Sequence, residues 1–135
     1  MYLNVHRYGN SGKKNLLCFK LDRITMDLTK EKIITYRTGA PPLTRREIME
    51  LIRAVPGWSL SGGHIVRHYA FENSKGCLSF INDVVELAQQ EGHLPDITMR
   101  EGRTVELSFY TYPAGGLTWN DFIMAAKLNE KFSPE

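Results

Sequence analysis

The groups in this 135-residue chain that could do chemistry are few, and most stand beside helix or strand ends. His93 directly follows Gly92 at what reads as a helix C-terminus, where a cation favours the helix dipole. Asp121 lies three residues after Thr118, the spacing of a capping box. Trp119 falls at the start of that same helix, where its ring could stack on a flat ligand or mark a contact surface. Tyr112 reads, on its own, as an end-of-strand aromatic, and Leu94 as a core residue. His64 and His68 share a face if strand alternation holds; such a pair is more often a surface feature than a metal site. Cys18 and Cys77 supply neither a disulfide framework nor a cysteine zinc site, and a reducing cytosol is the natural reading.

These residues must be positioned by regular elements, and the pattern supplies them. Gly39-Ala40-Pro41-Pro42 is a breaker cluster. Thr44 with Glu47 then forms a capping box for a first helix carrying Ile48, Leu51, Ile52 and Val55, which Pro56-Gly57 stops. Trp58 to Leu60, a turn at Ser61-Gly62-Gly63 and the run Ile65 to Phe71 predict a hairpin. Ser74 is the expected cap of a second helix with the stripe Leu78, Ile81, Val84, Val85 and Ala88, closed by Gly92 in the left-handed conformation. Ile97 to Arg100 and Thr104 to Tyr110 predict a second hairpin, with Val105, Leu107 and Phe109 on one side. A third helix starts at Thr118 and buries Phe122, Ile123, Ala125, Ala126 and Leu128. The expected fold is α+β, a four-stranded antiparallel sheet with three helices on one face in the order αββαββα.

The composition, 42% hydrophobic and 24% charged, is that of one globular domain with a single core. No apolar run approaches the roughly 18 residues of a membrane span, and the polar start Met1 to Lys14 predicts no signal segment. Residues 1–53 hold 11 of the 17 basic groups and 5 of the 15 acidic ones, so the basic charge is concentrated early. No nucleic-acid-binding motif accompanies it, and the segment reads as solvated. Residues 1–27 do not fit the pattern of the rest. We expect them to be a variable extension ahead of a domain at 28–135.

Two stretches carry a resemblance: Glu91-Gly92-His93-Leu94-Pro95-Asp96 and Gly115-Gly116-Leu117-Thr118-Trp119-Asn120-Asp121-Phe122. With Thr111-Tyr112, Pro42-Leu43-Thr44 and Pro56-Gly57-Trp58, they make the chain, from about Leu28 to Phe132, resemble the pterin-4a-carbinolamine dehydratases. The resemblance implies dehydration of a 4a-hydroxy tetrahydropterin to the quinonoid dihydropterin without metal or cofactor. One proton goes to the departing hydroxyl and one is taken from a ring nitrogen.

Matched residue by residue, His93 stands at the family's first histidine, Leu94 at the second and Tyr112 at the third, while Pro95 and Asp121 are retained. The implied catalytic set is therefore His93, Tyr112 and Asp121, with Glu91, Pro95 and Trp119 around the substrate. Leucine transfers no proton, and tyrosine is a poor base near neutrality. Loss of one acid or base typically costs on the order of 10²–10⁴-fold, so weak or altered activity is expected. The same resemblance leaves open a non-catalytic role as a dimerisation cofactor or protein-assembly factor. It also implies dimers or tetramers. If Thr104 to Tyr110 lies at a sheet edge, and the third helix is incompletely covered, both surfaces would favour a second copy.

Overall fold

The computed structural model describes residues 27–132. The expected α+β order is present. Helix α1 spans Arg45–Ile52, strand β1 Ser59–Ser61, strand β2 His64–Ala70 and helix α2 Ser74–Glu91; strand β3 follows at Asp96–Arg100, strand β4 at Thr104–Phe109 and helix α3 at Trp119–Lys131. Single 3₁₀ turns occur at Leu28–Lys30 and Tyr112–Ala114. No helix among the described residues is long and apolar enough to cross a membrane.

All strand pairs are antiparallel, and the order across the sheet is β1-β2-β4-β3. This places β4 in the interior and leaves β1 and β3 as the edges, so the condition under which Thr104 to Tyr110 would pair with a second copy is not met. The central pairing is long range, Ile65 opposite Phe109 and Tyr69 opposite Val105, so the local hairpin pattern could not show which strand lies outside.

Strand alternation sends Ile65, Val105, Leu107 and Phe109 into one core with residues of all three helices. On the other face Glu106 sits between His68 (3.4 Å) and Arg100 (3.7 Å). The Thr44–Glu47 capping box forms as expected, but α1 ends at Ile52. Val55 is nonetheless fully buried beyond it.

Two details of α2 differ from expectation. Its cap is Asn73, whose side chain accepts from the Gly76 N–H at 2.9 Å, and not Ser74. The inward stripe is Cys77, Phe80, Val84 and Ala88, while Leu78 is exposed. The two stripes share Val84 and Ala88 and part at the N-terminal end of the helix, where Cys77 and Phe80 face inward in place of Leu78, and packing fixes that choice. Phe80 settles it by sitting among Tyr69, Phe71 and Phe132.

The apolar run of α3 is also better covered than expected. Phe122, Ile123, Met124, Ala125, Ala126 and Leu128 are all buried within the single chain. Part of the cover is the segment after Asp27. Leu28 joins the core, and the buried Asn120 side chain bonds the Ile34 backbone in both directions, donating at 2.7 Å and accepting at 3.1 Å. The extension expected at 1–27 lies, except for Asp27, outside the described residues.

Candidate active site

The loop after α2 and the start of α3 meet over the end of β4. Gly92 adopts φ 91°, a conformation open to glycine at little steric cost, and its N–H and that of His93 both close on the Ala88 carbonyl. The chain thereby turns His93 back over the sheet, where its ring stacks on Phe109 with centroids 5.5 Å apart. Lys127 of α3 holds Glu91 at 2.7 Å, tying the end of α2 to α3. Pro95 is buried just beyond.

His93 Nε2 lies 2.6 Å from Asp121 Oδ1. The histidine side chain is 14% exposed and the aspartate wholly buried. Asp121 Oδ2 accepts the Thr118 N–H and the Thr111 hydroxyl, each at 2.8 Å. Thr111 and Thr118 hydroxyls lie 2.7 Å apart. Taken as a carboxylate, Asp121 accepts at both oxygens, and the proton of the 2.6 Å contact is then assigned to Nε2. His93 Nδ1 is then the nitrogen left for a ligand. Asp121 thus has two duties, capping α3 and orienting a histidine, and the sequence pattern pointed only to the first.

The remaining residues expected at the site are more scattered. Tyr112 is exposed and donates its hydroxyl proton to Asp96 Oδ2 at 2.9 Å. That hydrogen bond to Asp96 raises its pKa, so the phenol stays protonated at neutral pH. Tyr112 also leans on Tyr110, which stacks on His64. Glu91 is engaged by Lys127, and Trp119 is half-buried. Leu94 is exposed beside His93 and is not a core residue. His64 and His68 share the open sheet face but have separate partners, Ser108 and Glu106. Among the described residues no group of three or more acidic, cysteine or histidine side chains is placed to hold a metal ion.

Sequence reasoning quoted Thr111 beside Tyr112 without giving it a role, and missed Tyr36. Tyr36 is half-buried beside Thr118 and the Trp119 backbone, and burial first, then the charge of Asp121, pushes its hydroxyl pKa up against the effect of those two contacts. Nothing in local spacing links position 36 to position 118. Thr111 could have been flagged as a polar residue continuing the buried side of β4.

The sequence pattern described as Pterin 4 alpha carbinolamine dehydratase matches residues 41–131. The chain belongs to that family. A provisionally named pterin-4-alpha-carbinolamine dehydratase of Rubrobacter xylanophilus is 36% identical over 104 residues, covering 76% of this chain and 96% of that protein. A protein of the same provisional name from Azoarcus sp. is 40% identical over 106 residues, covering 77% and 90%. The crystal structure of a transcriptional coactivator/pterin dehydratase from Brucella melitensis superposes with a TM-score of 0.59 at 27% identity, covering 66% of this chain and 96% of that one. His93, Thr111, Tyr112, Thr118 and Asp121 all fall inside the segment matched to the dehydratase family, whereas Tyr36 precedes it.

Proposed function

We propose that the chain takes a pterin 4a-carbinolamine, or a related flat ring carrying a hydroxyl, and dehydrates it slowly with His93 as the proton-transferring group. The observation that carries this reading is the 2.6 Å contact between His93 Nε2 and a fully buried Asp121. A carboxylate so placed fixes the imidazole through Nε2 and leaves Nδ1 to give a proton to the departing hydroxyl. The C4a–O bond breaks as a double bond forms between C4a and the neighbouring ring nitrogen, water leaves, and the proton lost from that nitrogen returns the imidazole to its starting state. Tyr112 is not a base, because its phenol stays protonated and donates to Asp96.

By the resemblance, Leu94 and Tyr112 occupy positions where the family uses histidine. That is the reason to expect a low rate. The test is dehydration of enzymatically generated carbinolamine by the wild-type chain and by Leu94→His with Tyr112→His. A slow wild type that the double substitution accelerates supports the reading. A wild type as fast as a family member with all three histidines, or a double variant that binds pterin and gains nothing, overturns it.

A second reading is a binding role on the same fold, favoured by the coactivator name of the Brucella melitensis structure. Absence of turnover in both forms, together with a protein partner retained in pull-downs, would select it.

A further inference from the structure

We propose that Thr111 is a positioning residue for His93, acting through Asp121; this rests on the reading of His93 as the proton-transferring group. Thr111, Thr118 and Asp121 are at most 3% exposed, so their polar atoms must satisfy one another. A threonine hydroxyl has one proton. Asp121 Oδ2 only accepts, so the 2.8 Å contact takes the proton of Thr111. The 2.7 Å contact between the two hydroxyls must then use the proton of Thr118. The order is fixed as Thr118 to Thr111 to Asp121.

With the Thr118 N–H arriving on the same oxygen at 2.8 Å, Oδ2 is clamped from two directions. A carboxylate held at one oxygen by two donors has little freedom to rotate, and Oδ1 is thereby aimed at Nε2. Thr111 occupies the right place for this because of its backbone. Its N–H bonds the Gly116 carbonyl at 3.2 Å, and the two residues form an isolated bridge that folds the chain back on itself. The loop so closed brings positions 111 and 118 side by side. It also carries Tyr112, so the hydroxyl of Thr111 ties the segment bearing one candidate proton donor to the carboxylate behind the other.

The test compares Thr111→Val, which keeps shape and loses the hydroxyl, with Thr111→Ser, which keeps the hydroxyl and loses a methyl. Two measurements are made on the full chain. The first is the ¹⁵N–¹H spectrum of the His93 imidazole. We expect a protected Nε2–H in the wild type and in Thr111→Ser, and a broadened, rapidly exchanging one in Thr111→Val. The second is carbinolamine turnover. We expect kcat to fall about tenfold in Thr111→Val, the scale of one hydrogen bond to a charged group, with KM unchanged and most of kcat kept by serine. A valine variant with an unchanged Nε2–H, or a serine variant that loses as much as valine, would overturn the proposal. If the wild type shows no turnover at all, the reading of His93 as a proton-transferring group fails. The spectrum still decides whether Thr111 positions its ring.

Discussion

Replacing Asp121 by asparagine should invert the tautomer of His93, and the geometry says why. Two donors, the Thr118 N–H and the Thr111 hydroxyl, converge on Oδ2 at 2.8 Å. In Asp121→Asn the amide oxygen must take that place, since the amide nitrogen there would face donors. The NH₂ group then points at Nε2 across the former 2.6 Å contact. Two donors cannot share it, so Nε2 gives up its proton and Nδ1 acquires it. A charge-assisted hydrogen bond becomes a neutral one, which costs about 1–2 kcal/mol, or a fall in Tm of roughly 4–8 °C for a chain of this size. The catalytic cost is larger. The protonated ring that gives its Nδ1 proton to the departing hydroxyl no longer faces a carboxylate, and loss of a positioned acid is worth on the order of 10²–10⁴-fold. Carbinolamine turnover, the imidazole ¹⁵N shifts and a thermal melt together report all three effects. An asparagine variant that keeps Nε2 protonated and turns over at the wild-type rate would refute the hydrogen-bond assignment.

Other expectations concern stability and assembly. Tyr69 has its pKa pushed up to about 12 by burial, partly offset by Arg67, and its hydroxyl is buried without a hydrogen-bond partner. A raised tyrosine pKa means that the stabilisation is complete below about pH 10 and is lost as pH rises toward 12, a change of about 2–3 kcal/mol; Tyr69→Phe should be neutral or stabilising at pH 7 and should flatten the alkaline limb of a denaturation series. Gly57→Ala should cost about 2 kcal/mol, because φ is +91° and the new Cβ would fall 2.4 Å from an Arg67 nitrogen held by Asn129 and the Pro56 carbonyl; urea midpoints measure it. We expect a dimer at least, now through the β3 edge, where Met99 is exposed, and not through β4. Light scattering during size exclusion would show it, and a stable 15.4 kDa monomer at micromolar concentration would exclude it.

Much of the fold was legible because its signals are local. Thr44 with Glu47, Gly92 after α2 and the alternation of Val105, Leu107 and Phe109 each follow from a few neighbouring residues. Strand order was not legible, because pairing of Ile65 with Phe109 joins positions far apart, and no local feature of β4 marks it as interior. The inward face of α2 was legible only in part, with Val84 and Ala88 right and Leu78 wrong, for a related reason. Leu78 and Cys77 are both apolar enough to face inward, and the choice belongs to the surface they pack on. At the site, His93 and Asp121 were singled out separately, one by resemblance and one also by cap spacing. Their contact is a tertiary fact. The ion pair of Glu91 with Lys127 was not legible either, since no spacing rule supplies a partner to a lysine inside an otherwise apolar run.

The segment matched to the family begins at residue 41, yet the physical unit that holds the site begins earlier. Asn120 is 3% exposed on the first turn of α3, one residue before Asp121, and its amide is satisfied by the backbone of Ile34. Left without that backbone, a buried amide would carry an unpaired donor and acceptor, at a cost of about 1–3 kcal/mol for each group. Leu28 would also leave the core. Tyr36, two residues after Ile34, brings its hydroxyl to Thr118 and the Trp119 backbone. The strap over residues 28–36 therefore does three things at once. It covers α3, satisfies its first turn and brings the Tyr36 hydroxyl against Thr118 of the Thr111–Thr118–Asp121 cluster. The orientation of the histidine thus depends on residues outside the family segment, through contacts with the turn of helix that carries its aspartate.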